Sequence, residues 1–418
     1  MLSNKQISKS AAIFAVIAIC LVSAAFLLDA GRAVARGQND FMDYYIYADE
    51  LRHGIDMSDN KAYEDFFNSR AYSGEVISKP LERVGPLYTP VFYLFFVPFT
   101  FLPLAAAKTL WVFMQFCFTA LFVYFSVKLF DISKDTGKTL LLVFTSLVFY
   151  PLYISLYMGQ VAILILLLLT MALYFEKQNR PAAAGICLGL AIIVKIVPAF
   201  LLIVFFARKK WKAPAVAVLT YLAGLAISLP VLGIHHHLWS YGRLFTDYIH
   251  RNQTRFVPEV ISFAAMVNRL FLSSEITTPV LNSPLLARVL IIGWQLFLLS
   301  AFVYACSRRR LKFEFLFSFS ILIMTLLPPL MQEHYLAWLL LPYFIFLNSI
   351  NFDVKSRLFW IWLASLILAG SRIYFSAFQI SFHGVFTLLL SIKLFAVLLL
   401  LWLYLRAMRD NPSINSPA

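Results

Sequence analysis

The chain is built from apolar runs that are long enough to cross a lipid bilayer. Runs of about 18–25 residues recur along its length, and a helix of about 20 apolar residues spans a hydrocarbon core of about 30 Å. Hydrophobic residues make up 61% of the 418 residues and charged residues only 13%, against about 25% charged residues in a soluble domain. The sequence therefore predicts an all-α integral membrane protein, a single polytopic domain over residues 1–418, with about 10–13 transmembrane helices.

Basic residues cluster beside the apolar runs and indicate the orientation of the chain. Clusters at 208–212, 308–312 and 406–409, like Lys5 and Lys9, are typical of cytoplasmic ends. An even number of predicted spans separates the first three clusters, so they share one side. The loops 30–86 and 233–286 and the turns at His334 and Arg372 are then expected outside the cytoplasm. The net charge of +14 needs no nucleic-acid partner, and we expect a location in a bacterial inner membrane.

An acidic and aromatic stretch, residues 39–48, follows the first predicted span, residues 10–29. A carboxylate such as Asp40 or Asp43 at a membrane surface can act as a general base, because partial loss of water raises its pKa toward neutrality. Aromatic neighbours such as Tyr44 and Tyr45 could stack on a sugar ring. The alternative is an acidic helix cap beside an ordinary interfacial aromatic belt.

Lys195 lies inside an apolar run, close to Pro198. A lysine at membrane depth costs about 2.5–3.5 kcal/mol on insertion scales and indicates a functional site, here one that holds a phosphate. The alternative is a lysine that extends to the interface. Because proline removes a backbone donor, residues 181–206 form either one kinked helix or two half-length helices.

Three further outer-face side chains are candidates for holding an anion: His334, Arg269 and Arg372. A guanidinium can bind phosphate in a bidentate manner, and an imidazole can contact a phosphate or a hydroxyl. Each could instead be a helix cap, a salt bridge or an interfacial anchor. The adjacent histidines 235–237 lack spaced partner ligands, so no metal site is predicted.

Taken in order, these motifs resemble glycosyltransferase family 87 over most of the chain. The resemblance rests on Asp40-Phe41 with Tyr44-Tyr45 and Ala48, Tyr88-Thr89-Pro90, Pro98, Pro103, Gly159-Gln160, Arg180, Ala184-Gly185, Gly189-Leu190-Ala191, Lys195-Ile196-Val197-Pro198, the basic run 208–212, Asn252-Gln253-Thr254, Arg269, His334-Tyr335 and Pro342.

The resemblance implies a GT-C fold whose outer loops form the active site. It implies an inverting transfer without metal or other cofactor, most often of mannose, from a polyprenyl-phosphate sugar to a glycolipid or polysaccharide. Asp40 would be the general base, with Asp43 as the alternative. The expected donor-phosphate ligands are Lys195, Arg269, His334 and Arg372, and the expected sugar or acceptor contacts are Tyr44, Tyr45, Gln160 and Asn252.

Two other functions compete with this one. A polysaccharide polymerase or ligase commonly needs several arginines in one outer loop, and 233–286 contains Arg243, Arg251, Arg255 and Arg269. A transporter of lipid-linked sugars would typically show internal repeats and ionisable residues at the midplane. No repeat is visible here, and the ionisable residues favour one face. Donor chemistry separates the transferase from the ligase: a monophosphate-linked sugar against a pyrophosphate-linked oligosaccharide.

Overall fold

The computed structural model of the protein describes residues 28, 31–32, 39–55, 59–69, 88–250, 256–349, 355–410 and 414. Apart from Leu28, the predicted first span lies outside these residues. Within them the chain is helical, and its only strand-like features are two isolated bridges, Val260 to Gln332 and Thr278 to His383.

The described residues form a series of helices. In chain order they are α1 Asn39–Arg52, α2 Asn60–Ser69, α3 Pro90–Leu94, α4 Leu104–Phe130, α5 Thr136–Val148, α6 Tyr150–Met158, α7 Ala162–Lys177, α8 Pro181–Val194, α9 Leu202–Ala207, α10 Lys212–His250, α11 Phe263–Phe271, α12 Pro284–Ser307, α13 Phe313–Leu326, α14 Leu340–Ser349, α15 Arg357–Gly370 and α16 Ile392–Asp410, with 3-10 helices at Val97–Phe101, Val197–Leu201, Glu333–Leu339, Gln379–Phe382 and Gly384–Ser391.

Several of these helices are long and apolar enough to cross a membrane. Four qualify alone: Leu104–Phe130, Lys212–Arg243, Pro284–Ser307 and Gly384–Asp410. The pair α5 and α6, bent by 43°, would be a fifth. Shorter apolar helices, such as α8 and α13, pack among them. The all-α, multi-pass membrane fold is confirmed, whereas the number of 10–13 crossings stays a prediction.

The apolar run 181–206 is broken in the middle, the second of the two arrangements that its sequence allows. Helix α8 ends at Val194, and Lys195 is extended, with φ −152° and ψ 134°. A 3-10 helix starts at Val197 with Pro198 in its first turn. Because proline has no N–H, it cannot donate to the carbonyl of Val194 and continue the α-helix. The break therefore follows from Pro198 and leaves Lys195 on non-helical backbone.

Helix α8 packs closely against α10 through two glycines one turn apart. A Cβ on Gly185 would lie 2.5 Å from the carbonyl oxygen of Ala213, and one on Gly189 would lie 2.6 Å from the Cβ of Thr220. Small residues spaced in this way allow membrane helices to approach closely and gain van der Waals contact. This contact holds the end of α8, and hence Lys195, in position.

The three basic clusters meet at one end of the molecule. Arg208 donates to the carbonyl of Arg308 at 2.9 Å, and Arg308 donates to the carbonyl of Met408 at 3.1 Å. Helix α12 carries the chain away from Arg308, so residues 256–283 lie at the other end. There Ile261 N–H donates to the carbonyl of Met331 at 2.8 Å, which ties this stretch to the turn before His334.

The stretch 233–286, expected as a loop, starts with helix. Helix α10 continues to His250 after an interruption at Gly233, where φ is 72° and ψ is 159°. A positive φ suits glycine, which has no Cβ to clash with the backbone. Pro230 lies just before it. The predicted extracytoplasmic loop 233–286 therefore begins with helix, and its side of the membrane stays a prediction.

We predict that Gly189→Ala destabilises the protein by about 1–3 kcal/mol, because the added methyl overpacks the contact with α10. The control is Gly293→Ala in α12, where a Cβ would have nothing within 4 Å and alanine favours helix. Thermal unfolding in detergent, followed by intrinsic fluorescence, measures both. A Gly189→Ala protein as stable as the control variant would contradict the close contact.

Candidate active site

Helix α1 carries Asp40 in its first turn and is anchored on the segment that precedes α4. The Tyr45 hydroxyl donates to the carbonyl of Leu102 at 2.9 Å, and Arg52 donates to the carbonyl of Thr100 at 2.9 Å. Phe41 is fully buried, and its ring stacks on that of Trp111 at 5.9 Å. These contacts fix α1, which is not one of the membrane-spanning candidates, beside the membrane helices.

Asp40 ends a chain of hydrogen bonds. Its Oδ2 accepts from Gln160 Nε2 at 2.6 Å. Gln160 Oε1 accepts from the Tyr88 hydroxyl at 2.8 Å, and the Tyr44 hydroxyl donates to that of Tyr88 at 2.7 Å. Among the residues that the structure describes, none donates to Oδ1 of Asp40. Within the described part of the chain, one oxygen of the carboxylate is therefore held and the other has no hydrogen-bond donor.

The turn after α6 explains why Gln160 reaches Asp40. Gly159 ends the helix with φ 76°, and its N–H and that of Gln160 donate back to the carbonyls of Leu156 and Ser155. This is a Schellman-type end, which favours glycine at the left-handed position. Trp111 Nε1 also donates to the carbonyl of Gly159 at 2.8 Å. The amide of Gln160, only 6% exposed, is therefore rigidly placed.

Lys195 contacts the same group of aromatic residues. Its ammonium donates to the Tyr335 hydroxyl and lies 5.2 Å from the ring centroid of Tyr88. The hydroxyl of Thr89 donates to the carbonyl of Ile193, one of the carbonyls left unpaired where α8 stops. Tyr88 and Thr89 thus connect the carboxylate side of the site with the helix break that presents the lysine.

The surroundings of Asp40 and Asp43 raise the pKa of both carboxyl groups. Burial raises the pKa of Asp40 to about 6, although the hydrogen bond from Gln160 and the charge of Lys195 act in the opposite direction. Burial, followed by the charge of Asp40, raises the pKa of Asp43 to about 7. Near neutral pH Asp40 is therefore mainly a carboxylate with a pKa suited to general base catalysis, while Asp43 is partly protonated.

His334 lies next to this group in the 3-10 helix Glu333–Leu339. It is 2% exposed, and its ring meets that of Tyr335 edge-on at 4.3 Å. Its Nε2 is buried, and no described residue is its hydrogen-bond partner. An unpaired buried nitrogen is costly, so it indicates a place where a ligand could bind.

The other predicted site residues that the structure describes have their printed contacts with residues outside this cluster. Arg269 is fully buried and donates to the carbonyls of Val257 and Val260 and to Ser391 Oγ at 2.9–3.1 Å. Arg372 is exposed and lies 5.5 Å from the ring centroid of Tyr150. The Tyr45 hydroxyl donates to the carbonyl of Leu102. Asn252 lies outside the described residues.

No group of three His, Cys, Asp or Glu side chains that could hold a metal ion occurs in the described chain.

Sequence reasoning missed several members of the site. Tyr88 and Tyr335 were noted only as parts of family motifs, although they connect Asp40 and Lys195. Lys393, 3% exposed and paired with Glu333, was also missed. It lies within an apolar run, the signal that singled out Lys195. For the two tyrosines no such signal exists, because an aromatic residue in a membrane protein is usually packing.

Residues 87–331 match the family described as glycosyltransferase family 87. This range is more than half of the chain. The chain belongs to glycosyltransferase family 87. The match includes Gln160, Lys195 and Arg269, whereas Asp40 precedes it and His334 follows it. No curated protein matches the chain, and no solved structure does. The protein is therefore a membrane-embedded glycosyltransferase.

We predict that Gln160→Leu raises the pKa of Asp40 above about 6, because it removes the donor that favours the carboxylate. Infrared difference spectra during a pH titration measure this, and Asp40→Asn and Asp43→Asn identify the bands. Gln178→Leu, at the exposed end of α7, is the control. An unchanged Asp40 titration in Gln160→Leu would show that the two side chains are not bonded.

Proposed function

We propose that the protein transfers a hexose, with mannose as the first candidate, from a polyprenyl-phosphate donor to a hydroxyl of a glycolipid or polysaccharide. The membership of family 87 and the resemblance to GT-C enzymes support this class of reaction. The observation that carries it is the hydrogen bonding of Asp40. Its Oδ2 accepts from Gln160, and its Oδ1 has no donor among the described residues. Lys195 lies within electrostatic reach of it.

The proposed reaction is a direct displacement. Oδ1 of Asp40 takes the proton of the acceptor hydroxyl while that oxygen forms a bond to the anomeric carbon. The bond from this carbon to the phosphate oxygen breaks on the opposite face, so the configuration inverts. The lipid phosphate leaves with the bonding electrons, and Lys195 and His334 stabilise its charge. Cations placed where charge develops commonly supply a large part of catalysis.

Asp40 is a better base than Asp43 in this scheme. Asp40 is oriented by Gln160 and lies near a cation, whereas burial and the charge of Asp40 keep Asp43 near half protonation at pH 7. A base must be deprotonated, so transfer should decline as pH falls through about 6, the pKa of Asp40.

The position of the cation supports a lipid-linked donor. Lys195 projects from a helix break between the apolar helices α8 and α9, where a phosphate on a lipid chain could bind without leaving the membrane. The turn that precedes His334 lies at the end of the molecule opposite the basic clusters. By the charge rule for membrane proteins this end is extracytoplasmic, in keeping with a bacterial inner-membrane enzyme that acts on the cell envelope.

Asp40→Asn should reduce transfer by about 10²–10⁴-fold, the usual contribution of a general base, while donor binding is retained. Transfer of radiolabelled mannose from polyprenyl-phosphate-mannose in proteoliposomes measures the rate, and binding of the same donor to the variant is the control. Asp43→Asn should keep most of the activity, and its transfer rate should still fall as the pH drops through about 6. Full activity in Asp40→Asn together with a loss in Asp43→Asn would move the role of base to Asp43.

Lys195→Met should weaken donor binding by about 10–100-fold, the loss of one charge-assisted hydrogen bond. The matched control is Lys128→Met, which removes an exposed lysine at the end of α4. Binding of polyprenyl-phosphate-mannose is compared with that of a polyprenyl-pyrophosphate oligosaccharide. Preference for the pyrophosphate donor would favour the polymerase or ligase, and equal binding by both lysine variants would remove Lys195 from the donor site.

A further inference from the structure

Three tyrosines form a continuous row along helix α6. Tyr150, Tyr153 and Tyr157 are spaced by three and four residues, which places them on one helix face. The ring centroids of Tyr150 and Tyr153 are 5.4 Å apart, and those of Tyr153 and Tyr157 are 6.0 Å apart. All three side chains are half-buried. Such a row keeps ring surface accessible, unlike a row packed wholly into a core.

The row leads to the proposed catalytic group. Helix α6 ends at Gly159, and the next residue, Gln160, binds Asp40. At 1.5 Å per residue, Tyr150 lies about 15 Å from Gln160 along the helix. A molecule that follows the row from Tyr157 to Tyr150 therefore starts at the carboxylate and extends well beyond one sugar ring.

The far end of the row carries an exposed cation. The guanidinium of Arg372 lies 5.5 Å from the ring centroid of Tyr150 and 5.8 Å from that of Tyr153. Helix α15 brings it there, because Gly370 packs against the ring of Phe149, which a Cβ would approach to 2.6 Å. In the described part of the chain Arg372 forms no ion pair with a carboxylate.

The neighbouring charges leave this cation available. Lys393 pairs with Glu333, and the hydroxyl of Tyr374 also donates to that carboxylate. Glu259 lies within electrostatic reach of Tyr374 and of the buried Arg269. Among the described residues, the three cations Arg269, Arg372 and Lys393 thus neighbour two carboxylates, Glu259 and Glu333, and the exposed cation of the three is Arg372. The end of the row at Tyr150 and Arg372 therefore favours the binding of an anion.

We infer that the tyrosine row and Arg372 bind the acceptor: an oligosaccharide whose sugar rings pack on Tyr153 and Tyr157 and whose acidic group, a phosphate or a carboxylate, pairs with Arg372. The inference rests on the proposed transferase function and names its acceptor class. The donor phosphate does not bind here, because it must lie next to the anomeric carbon and hence next to Asp40. Arg372 stands at the opposite end of α6 from the Gln160 that holds Asp40.

The test measures binding without a donor, so that it does not depend on catalysis. The full chain in nanodiscs of zwitterionic lipid is titrated with a fluorescent mannotrioside, either neutral or carrying a terminal phosphate. The wild type should bind the phosphorylated probe about tenfold more tightly, the effect of roughly 1.4 kcal/mol from one charged contact. Arg372→Gln should abolish this preference. Tyr153→Leu should weaken both probes about tenfold, whereas Tyr153→Phe should bind like the wild type.

Two matched controls complete the experiment. Arg406→Gln removes another arginine that lies over an aromatic ring, that of Trp402 at 5.3 Å, at the basic end of the molecule. Tyr124→Leu removes an exposed tyrosine of α4. Both should bind like the wild type.

Either of two results would overturn the inference: no binding of either probe by the wild type, or equal preference for the phosphorylated probe in Arg372→Gln and wild type. A failure of transfer from polyprenyl-phosphate-mannose, with this binding pattern intact, would instead reject only the proposed donor.

Discussion

The break in the helix at Lys195 is the constraint on which the site depends. A lysine inside an intact apolar helix would have to extend toward the interface, whereas here the backbone stops at Val194 and the ammonium reaches Tyr335. Pro198 enforces the break because it cannot supply the next helical hydrogen bond. The hydroxyl of Thr89 then donates a hydrogen bond to the carbonyl of Ile193. The cation is thus held against the same aromatic residues, Tyr88 and Tyr335, that connect it with Asp40 through Gln160.

The aromatic residues and glycines around this break act as scaffold. Tyr44 and Tyr88 use their hydroxyls in a chain that ends at the carboxylate, while their rings remove water and so raise its pKa. Close packing at Gly185 and Gly189 fixes α8, and the left-handed Gly159 turns Gln160 toward Asp40. A charged pair in such surroundings is useful for catalysis because its field is not screened by water.

The sequence predicts much of the fold and the individual charged residues, but not how they are connected. Long apolar runs specify a helical membrane protein, and the cost of burying Lys195 marks it as unusual. The bonds that join the site cross 120 residues between Asp40 and Gln160 and 140 between Lys195 and Tyr335, which no local pattern encodes. Arg269 is a second example: its guanidinium donates to two main-chain carbonyls and a serine, contacts that charge alone does not predict, and its binding of phosphate stays a prediction.

The central claim is that the linkage between sugar and phosphate lies between Asp40 and Lys195. Photo-crosslinking tests it most directly, with a polyprenyl-phosphate mannose that carries a diazirine on the sugar and is competed by unlabelled donor. The account predicts that mass spectrometry finds the competed crosslinks both in residues 39–55 and in the segment around Lys195. Competed crosslinks confined to other parts of the chain, such as 355–370, would contradict it.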